Sequence, residues 1–99
     1  MNKILSILGL CMKAGLLSAG EVSAENAIKS QKAKLVIIAD DASPNTKKKF
    51  YNSSEFYKVK MVYYGDKGEL GKAVGKAERS VMAVCDDGFA KKLEELLEA

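Results

Sequence analysis

Two pairs of adjacent carboxylates are the first residues in this chain that could do chemistry. Asp40-Asp41 directly follows the apolar run Lys34–Ala39, and Asp86-Asp87 follows Ser80–Cys85. Paired carboxylates at the end of a buried strand can hold magnesium or accept a phosphoryl group. The same residues also cap the next helix and offset its dipole, with no chemistry involved. Nothing nearby completes a catalytic set. The chain has no histidine, which removes imidazole acid–base catalysis and the His-containing zinc sites. The glycines form neither a GxGxxG nor a GxxxxGK[ST] pattern. Cys11 and Cys85 each sit in an apolar run without ligand spacing and read as buried thiols of a reducing compartment. An enzyme built on Asp40, Asp41 and Asp86 would lack both a base and a phosphate-gripping loop. The expectation is therefore a non-catalytic protein without metal or cofactor.

Binding residues are better represented. Gly20 lies at the start of a helix, where free backbone N–H groups favour an anion and the missing side chain admits a bulky partner. Glu21, beside it, competes for the same amides. Lys47, Lys48 and Lys49 are consecutive, so at about 100° per residue they cannot all face one partner. Lys29, Lys32 and Lys34 add to the basic surface. The loop Gly75–Val81, GKAERSV, places Lys76 and Arg79 among small residues. Such a loop can set cations on phosphates while a small apolar residue packs on a base. Each of these features is also compatible with a solvated surface.

The elements that would carry them are readable from periodicity. The run KLVIIA at Lys34–Ala39 is apolar on both sides and bounded by acidic turn residues, which predicts a fully buried strand. Such a strand must be covered on both faces, and the helices before and after it are the expected covers. Residues 3–14 carry Ile4, Leu5, Leu8, Cys11 and Met12 at helical offsets, closed by Gly15. Ser18 and Glu21 fit a capping box opening a helix to about Ser30, with Ala24, Ala27 and Ile28 inward and Glu25–Lys29 as an i,i+4 pair. Ser43 and Pro44 open a helix over 44–54 anchored by Phe50. Lys58–Tyr64 reads as a second strand. Asp66 and Glu69 form another cap pattern for a short helix over 67–74, in which Gly71 signals close backbone approach. Lys76–Arg79 is a loop, Ser80–Cys85 a third strand, and Asp86 or Asp87 caps a final helix with Phe89, Leu93, Leu96 and Leu97 inward. A further short strand near Leu16–Ala19 would widen an otherwise narrow sheet. The result is an α/β chain, a three-layer α/β/α sandwich.

Bulk properties agree with a folded globule. Ninety-nine residues, 47% of them hydrophobic, are enough for one domain with a modest core. The net charge of +3 is ordinary, but residues 1–50 hold eight lysines against four acids, whereas residues 51–99 hold eight basic residues against nine acids. A polyanion-binding face should lean on the first half. Ile4–Met12 resembles a signal-peptide core but is needed as a core helix, so it reads as part of the mature domain. No run of 18 apolar residues exists to span a membrane, and a cytoplasmic protein is expected.

Three segments taken together, the glycine turn at Gly20, KAKLVIIADDASPNTKKKF and ELGKAVGKAERS, resemble the kink-turn-binding ribosomal protein superfamily of archaeal and eukaryotic large subunits. The chain is most similar to the small bacterial branch of that superfamily, the YlxQ-like ribosomal-type proteins of Gram-positive bacteria. The resemblance runs from about Ile4 to Leu97. It implies an α/β/α sandwich with a mixed four-stranded sheet and binding to RNA in which a bulge bends two helices sharply. It implies that the helix after Gly20 enters the groove beside sheared guanine–adenine pairs and that the loop at Lys76–Val81 meets the bulged nucleotides. Where the strong binders carry Asn, Glu and Lys on that helix, this chain has Val22, Ser23 and Asn26. Only Ser23 and Asn26 can hydrogen-bond, and neither is charged.

The expected site therefore holds Gly20, Ser23, Asn26 and Lys29 at the bend and Lys32, Lys47, Lys76 and Arg79 on phosphates. Glu21, Asp41, Ala77 and Ser80 complete it. The expected partner is structured RNA, ribosomal or containing a kink-turn, together with ribosomal or assembly proteins, and neither DNA nor membrane. The alternative is a protein-interaction or ribosome-assembly module on the same fold, using Tyr51, Phe56, Tyr57 and Tyr64 as a contact patch.

Overall fold

A computed structural model describes residues 2–99. The chain runs α1 (Lys3–Lys13), β1 (Leu17–Ala19), α2 (Glu21–Lys29), β2 (Leu35–Ile38), α3 (Pro44–Tyr57), β3 (Lys60–Tyr63), α4 (Lys67–Ala73), β4 (Val81–Val84) and α5 (Asp87–Glu98). The strands form one mixed sheet in the order β1-β4-β2-β3, antiparallel except for the β2–β3 pair. Every residue of β2 and β4 is buried, as two-sided cover demands of central strands.

The covers are distributed differently from the expectation. The helices flanking β2 in sequence, α2 and α3, pack on each other on one face, while α1 packs against α4 and α5. The edge strand separates the two layers. Val59, Lys60, Met61 and Tyr63 border a cleft under α3, and the Lys60 ammonium reaches Glu94 and Glu98 of α5. Lys60's pKa is raised, first by its hydrogen bond to Glu98 and then by that to Glu94. Leu8, Ile28, Phe50, Leu70 and Leu93, each fully buried, bring all five helices onto the sheet.

Local capping follows the sequence at three helices. Ser43 caps α3 ahead of Pro44, Asp66 and Glu69 close a full capping box on α4, and Asp86 accepts from the Phe89 amide to cap α5; α1 is capped by Asn2, which periodicity does not single out. Three boundaries differ. Ser18 does not cap α2. It lies in β1, paired with Ala83, and Gly20 takes the cap position without a side-chain bond. The short strand expected near Leu16–Ala19 is what forms, because β4 offers it a ladder that outcompetes a local cap. α3 continues past residue 54 to Tyr57, since Ser54 lies on its buried face, and it stops only where Lys58 turns left-handed at φ +58°. The following strand accordingly starts at Lys60 rather than Lys58.

Gly71 makes the expected close approach. A Cβ there would run into the carbonyl of Ala77, which folds back over α4. Gly71→Ala is expected to displace the 75–80 loop and cost about 1–3 kcal/mol, as overpacking does; thermal melts would register the loss. Cys11 is fully buried, and its thiol pKa is pushed up from 9.0 to about 11, chiefly by burial and secondarily by Asp86 and Cys85. Because the folded thiol holds its proton above the pH at which the unfolded one releases it, stability should fall between about pH 9 and 11. Comparing melts of the parent chain with Cys11→Ala across that range should show the steeper decline in the parent.

Candidate nucleic-acid interface

Strand direction decides which loops share an end of the sheet. β1, β2 and β3 point the same way and β4 points back between β1 and β2. The residues after β1, β2 and β3 therefore gather with those before β4. The backbone bonds at this end are specific. The Gly20 amide donates to the Val81 carbonyl at 2.9 Å, the Ala39 amide to Ser80 at 2.8 Å, and the Asp40 amide to Gly65 at 2.7 Å. The Arg79 amide donates to Lys67 at 3.1 Å, tying the loop to α4.

Cys85–Gly88, at the carboxyl end of β4, lies at the opposite end of the sheet because β4 runs antiparallel. Val84 pairs with Leu35 while Val81 pairs with Ile38, so Asp86 and Asp40 are separated by a strand length of about 10 Å or more. The paired-carboxylate arrangement does not assemble. Among the described residues no three His, Cys, Asp or Glu side chains converge as a metal cluster. Asp41 does not cap α3 either. Its Oδ1 accepts from the Lys67 amide at 2.9 Å and so fixes the start of α4.

Gly20 and Arg79 meet at the centre of this end. Gly20 sits at φ +102°, a conformation side chains rarely adopt, and the place its Cβ would occupy is 3.6 Å from Cδ and Nε of Arg79. The Arg79 guanidinium bends over its own loop and donates from Nη1 to the carbonyls of Ala77 at 3.3 Å and Glu78 at 2.9 Å. That leaves its remaining N–H groups for another acceptor. Between helix start and loop lies an open depression of about 400 Å³, lined by Gly20, Glu21, Val22, Ser23, Arg79 and Ser80 among others. Within α2, the first amide bonded to a helical carbonyl is that of Ala24, to Gly20. The amides of Glu21, Val22 and Ser23 thus have no intrahelical acceptor.

Glu21 does not reach back to the cap as a capping box would require. Its Oε2 accepts from the Thr46 hydroxyl at 3.2 Å, and Thr46 Oγ1 accepts in turn from Ser43 at 3.0 Å. Thr46 is buried, so a hydroxyl of α3 holds the carboxylate away from the amides of α2. Thr46 was not legible as a site residue; three positions after Ser43, it reads only as part of a helix cap.

A second depression of about 420 Å³ continues along α2 and shares Ser23, with Asn26, Ser30 and Lys32 on its wall. Of the expected set, Gly20, Glu21, Ser23, Arg79 and Ser80 are brought together, and Asn26 and Lys32 adjoin them. Lys76 and Ala77 are exposed on the loop. Lys29 and Lys47 stand apart. Lys29 pairs with Glu25, which also pairs with Lys49 of α3, and Lys47 lies over the Tyr63 ring, 5.6 Å from its centroid. Val22 and Glu78, outside the expected set, also line the first depression, and Val22 is 76% exposed. The lining carries Glu21 and Glu78 against Arg79, so further positive charge must come from Lys76 on the loop and Lys32 beyond the end of α2.

This fold, with a glycine-led helix packed beside the loop preceding β4, is that of a small α/β/α ribosomal-type protein. A profile of the ribosomal protein L7Ae/L30e/S12e/Gadd45 family matches residues 2–94, and the chain belongs to that family. It is 42% identical over 97 residues to the RNA-binding protein YlxQ of Enterococcus faecium, covering 98% of this chain and 93% of that one. It is 40% identical over 92 residues to the RNA-binding protein YlxQ of Bacillus subtilis (93% and 92%). The large ribosomal subunit protein eL30 of Aeropyrum pernix matches at 28% over 90 residues, covering 89% of this chain and 90% of that one. Among solved structures, a protein of unknown function from Bacillus halodurans C superposes with a TM-score of 0.94 at 37% identity, covering both chains fully. The Giardia lamblia 15.5kD RNA binding protein shares the fold, with a TM-score of 0.81 at 24% identity over 96% of this chain and 82% of that one.

The contact between Gly20 and Arg79 yields a direct test. Gly20→Ala forces a side chain into a left-handed position, expected to cost about 1–3 kcal/mol. Thermal melts should show the loss, and amide shifts of Arg79 and Ser80 should move with it.

Proposed function

We propose that this chain is a single, non-catalytic RNA-binding domain that recognises bent, kink-turn-like RNA in the cytoplasm and associates with the ribosome. The observation that carries this reading is the packing of Gly20 against Arg79 at one end of the sheet. It sets a helix start without a side-chain cap beside a loop bearing Lys76 and Arg79. The RNA-binding names of the two YlxQ relatives support the same reading.

In this reading the bare Cα of Gly20 lets the RNA backbone approach α2. The amides of Glu21, Val22 and Ser23 face a phosphate with the favourable end of the helix dipole. Ser23 and Asn26 donate to base edges or riboses as neutral groups. Val22, exposed and apolar, rests on a sugar or base face. From the loop, Arg79 and Lys76 take the phosphates of the bulged strand, with the small Ala77 against a base and Ser80 holding the loop to β2. Asp41 acts at a distance by fixing the first turn of α4, whose Lys67 carbonyl anchors Arg79. Lys32 extends the cationic path along α2. Lys29 and Lys47 are secondary here, one paired with Glu25 and the other directed toward Tyr63.

Because Val22, Ser23 and Asn26 supply no charge, recognition leans on RNA shape and phosphate position rather than on bidentate base contacts. A salt titration with a kink-turn duplex and a straight duplex of equal length tests this. The expected result is preference for the bent duplex, with Lys76→Ala and Arg79→Ala each weakening binding and each lowering the salt slope by roughly 0.7–0.9 for every phosphate that is no longer neutralised. Unchanged affinity for every structured RNA in the double variant would remove the loop assignment.

A further inference from the structure

We propose that the cleft between α3 and the outer edge of β3 receives an extended segment of a partner protein, acidic at its ends and apolar at alternate positions. The segment adds to the sheet as a fifth strand. The site is on the opposite edge of the sheet from β1 and Gly20, and it shares with the expected RNA-binding set only Lys47.

Three observations converge there. The first is an open ladder. β3 pairs only with β2, and the Tyr64 amide donates to Ile38 at 3.0 Å. Backbone groups alternate along a strand, so the N–H and C=O of Lys60, Val62 and Tyr64 face β2 while those of Met61 and Tyr63 face outward. An incoming strand finds two donors and two acceptors in register. Lys60, which often guards an edge, is drawn to the other face by Glu94 and Glu98 at 3.3 and 3.2 Å.

The second is an unpartnered buried hydroxyl. Ser54 Oγ is 3% exposed as a residue and is the sole buried side-chain polar atom among the described residues without a hydrogen-bond partner. It borders a cleft of about 380 Å³ whose walls are Tyr51, Val59, Met61 and Tyr63, with the charged Glu55 and Lys60 also on its lining. An unsatisfied buried hydroxyl costs stability unless a ligand supplies its partner. Tyr51 and Tyr63 are 53% and 47% exposed, giving aromatic walls for alternate apolar side chains.

The third is charge. Lys47 stands over Tyr63 at one end of the edge and Lys58 precedes the strand at the other. Acidic residues at both ends of an incoming segment complement them. A second copy of this chain pairing β3 with β3 in antiparallel fashion would instead bring Lys47 of one copy toward Lys58 of the other. The aromatic set Tyr51, Phe56, Tyr57 and Tyr64 is divided by the fold. Tyr57 and Tyr64 are half-buried against the core, Phe56 is exposed and edge-on to Tyr57 with ring centroids 4.9 Å apart, and Tyr51 lines the cleft together with Tyr63.

The test is amide hydrogen exchange on the full chain with a capped peptide, Asp-Asp-Val-Ser-Val-Ser-Val-Asp-Asp, at millimolar concentration. Exchange at the Met61 and Tyr63 amides should slow about tenfold or more as they enter a ladder, with Lys60 and Val62 little changed. Ser54→Ala should melt no lower than the parent yet bind the peptide several-fold more weakly, about the loss of one hydrogen bond. Tyr63→Ser should weaken peptide binding and leave RNA affinity untouched. The proposal is overturned by unchanged exchange at Met61 and Tyr63, or by an equal effect from the same peptide with lysines at its ends. Protection that appears on raising protein concentration alone would assign the edge to a second copy, and protection by RNA but not peptide would assign it to RNA; either result also overturns it.

Discussion

The architecture depends on one strand running against its neighbours. β4 lies in the middle of the sheet, antiparallel to both β1 and β2, and its first residues are clamped from two sides. Val81 receives the Gly20 amide and Ser80 receives the Ala39 amide. Because β4 is wholly buried, a one-residue slip would carry its backbone pairing and its packed side chains out of place together. The register is therefore strongly set, and with it the distance between the start of α2 and the loop 75–80. The close approach of Gly71 to Ala77 and the Arg79–Lys67 bond hold the same loop from the α4 side. A surface loop with two cations is thereby converted into a positioned element.

The electrostatics of the candidate interface are mixed. Glu21 and Glu78 line the depression that Arg79 overhangs. Thr46 holds the Glu21 carboxylate toward α3, which leaves the amides at the start of α2 without a side-chain acceptor from their own cap. In the proposed reading the division of labour follows from this: backbone dipoles and Arg79 would attract phosphate, neutral Ser23 and Asn26 would discriminate weakly, and the carboxylates would exclude poorly fitting backbones by repulsion. Such a surface would read shape more than sequence.

Much of the fold was legible because its signals are local. The Asp66–Glu69 capping box, Ser43-Pro44, the apolar run of β2 and the Gly71 close approach each depend on a few neighbouring residues, and each is found where periodicity and cap chemistry place it. What misled was non-local. Ser18 has cap chemistry but is captured by the β4 ladder. The helices around β2 were expected on opposite faces, yet α2 and α3 share one, because the parallel crossover from β2 to β3 keeps to the same side. Lys29's pairing with Glu25 is a local i,i+4 contact that the sequence shows. Lys47, in contrast, looks as available as Lys76 in one dimension, and its place over Tyr63 is chosen by the packing of α3 on the edge strand.

Taken alone, the amino-acid order determined the α/β/α layering, the helix starts other than that of α2, and the family, since hydrophobic period, caps and three separated motifs are properties of short segments. Tertiary structure alone decided which ends of those segments meet. The antiparallel course of β4 sent Asp86 away from Asp40 and brought Arg79 onto Gly20. It also left β3 with an open edge beside an unpartnered Ser54. Strand direction is a property of the whole sheet, set by which pairing buries the most apolar surface while satisfying every central amide, and no single segment encodes it.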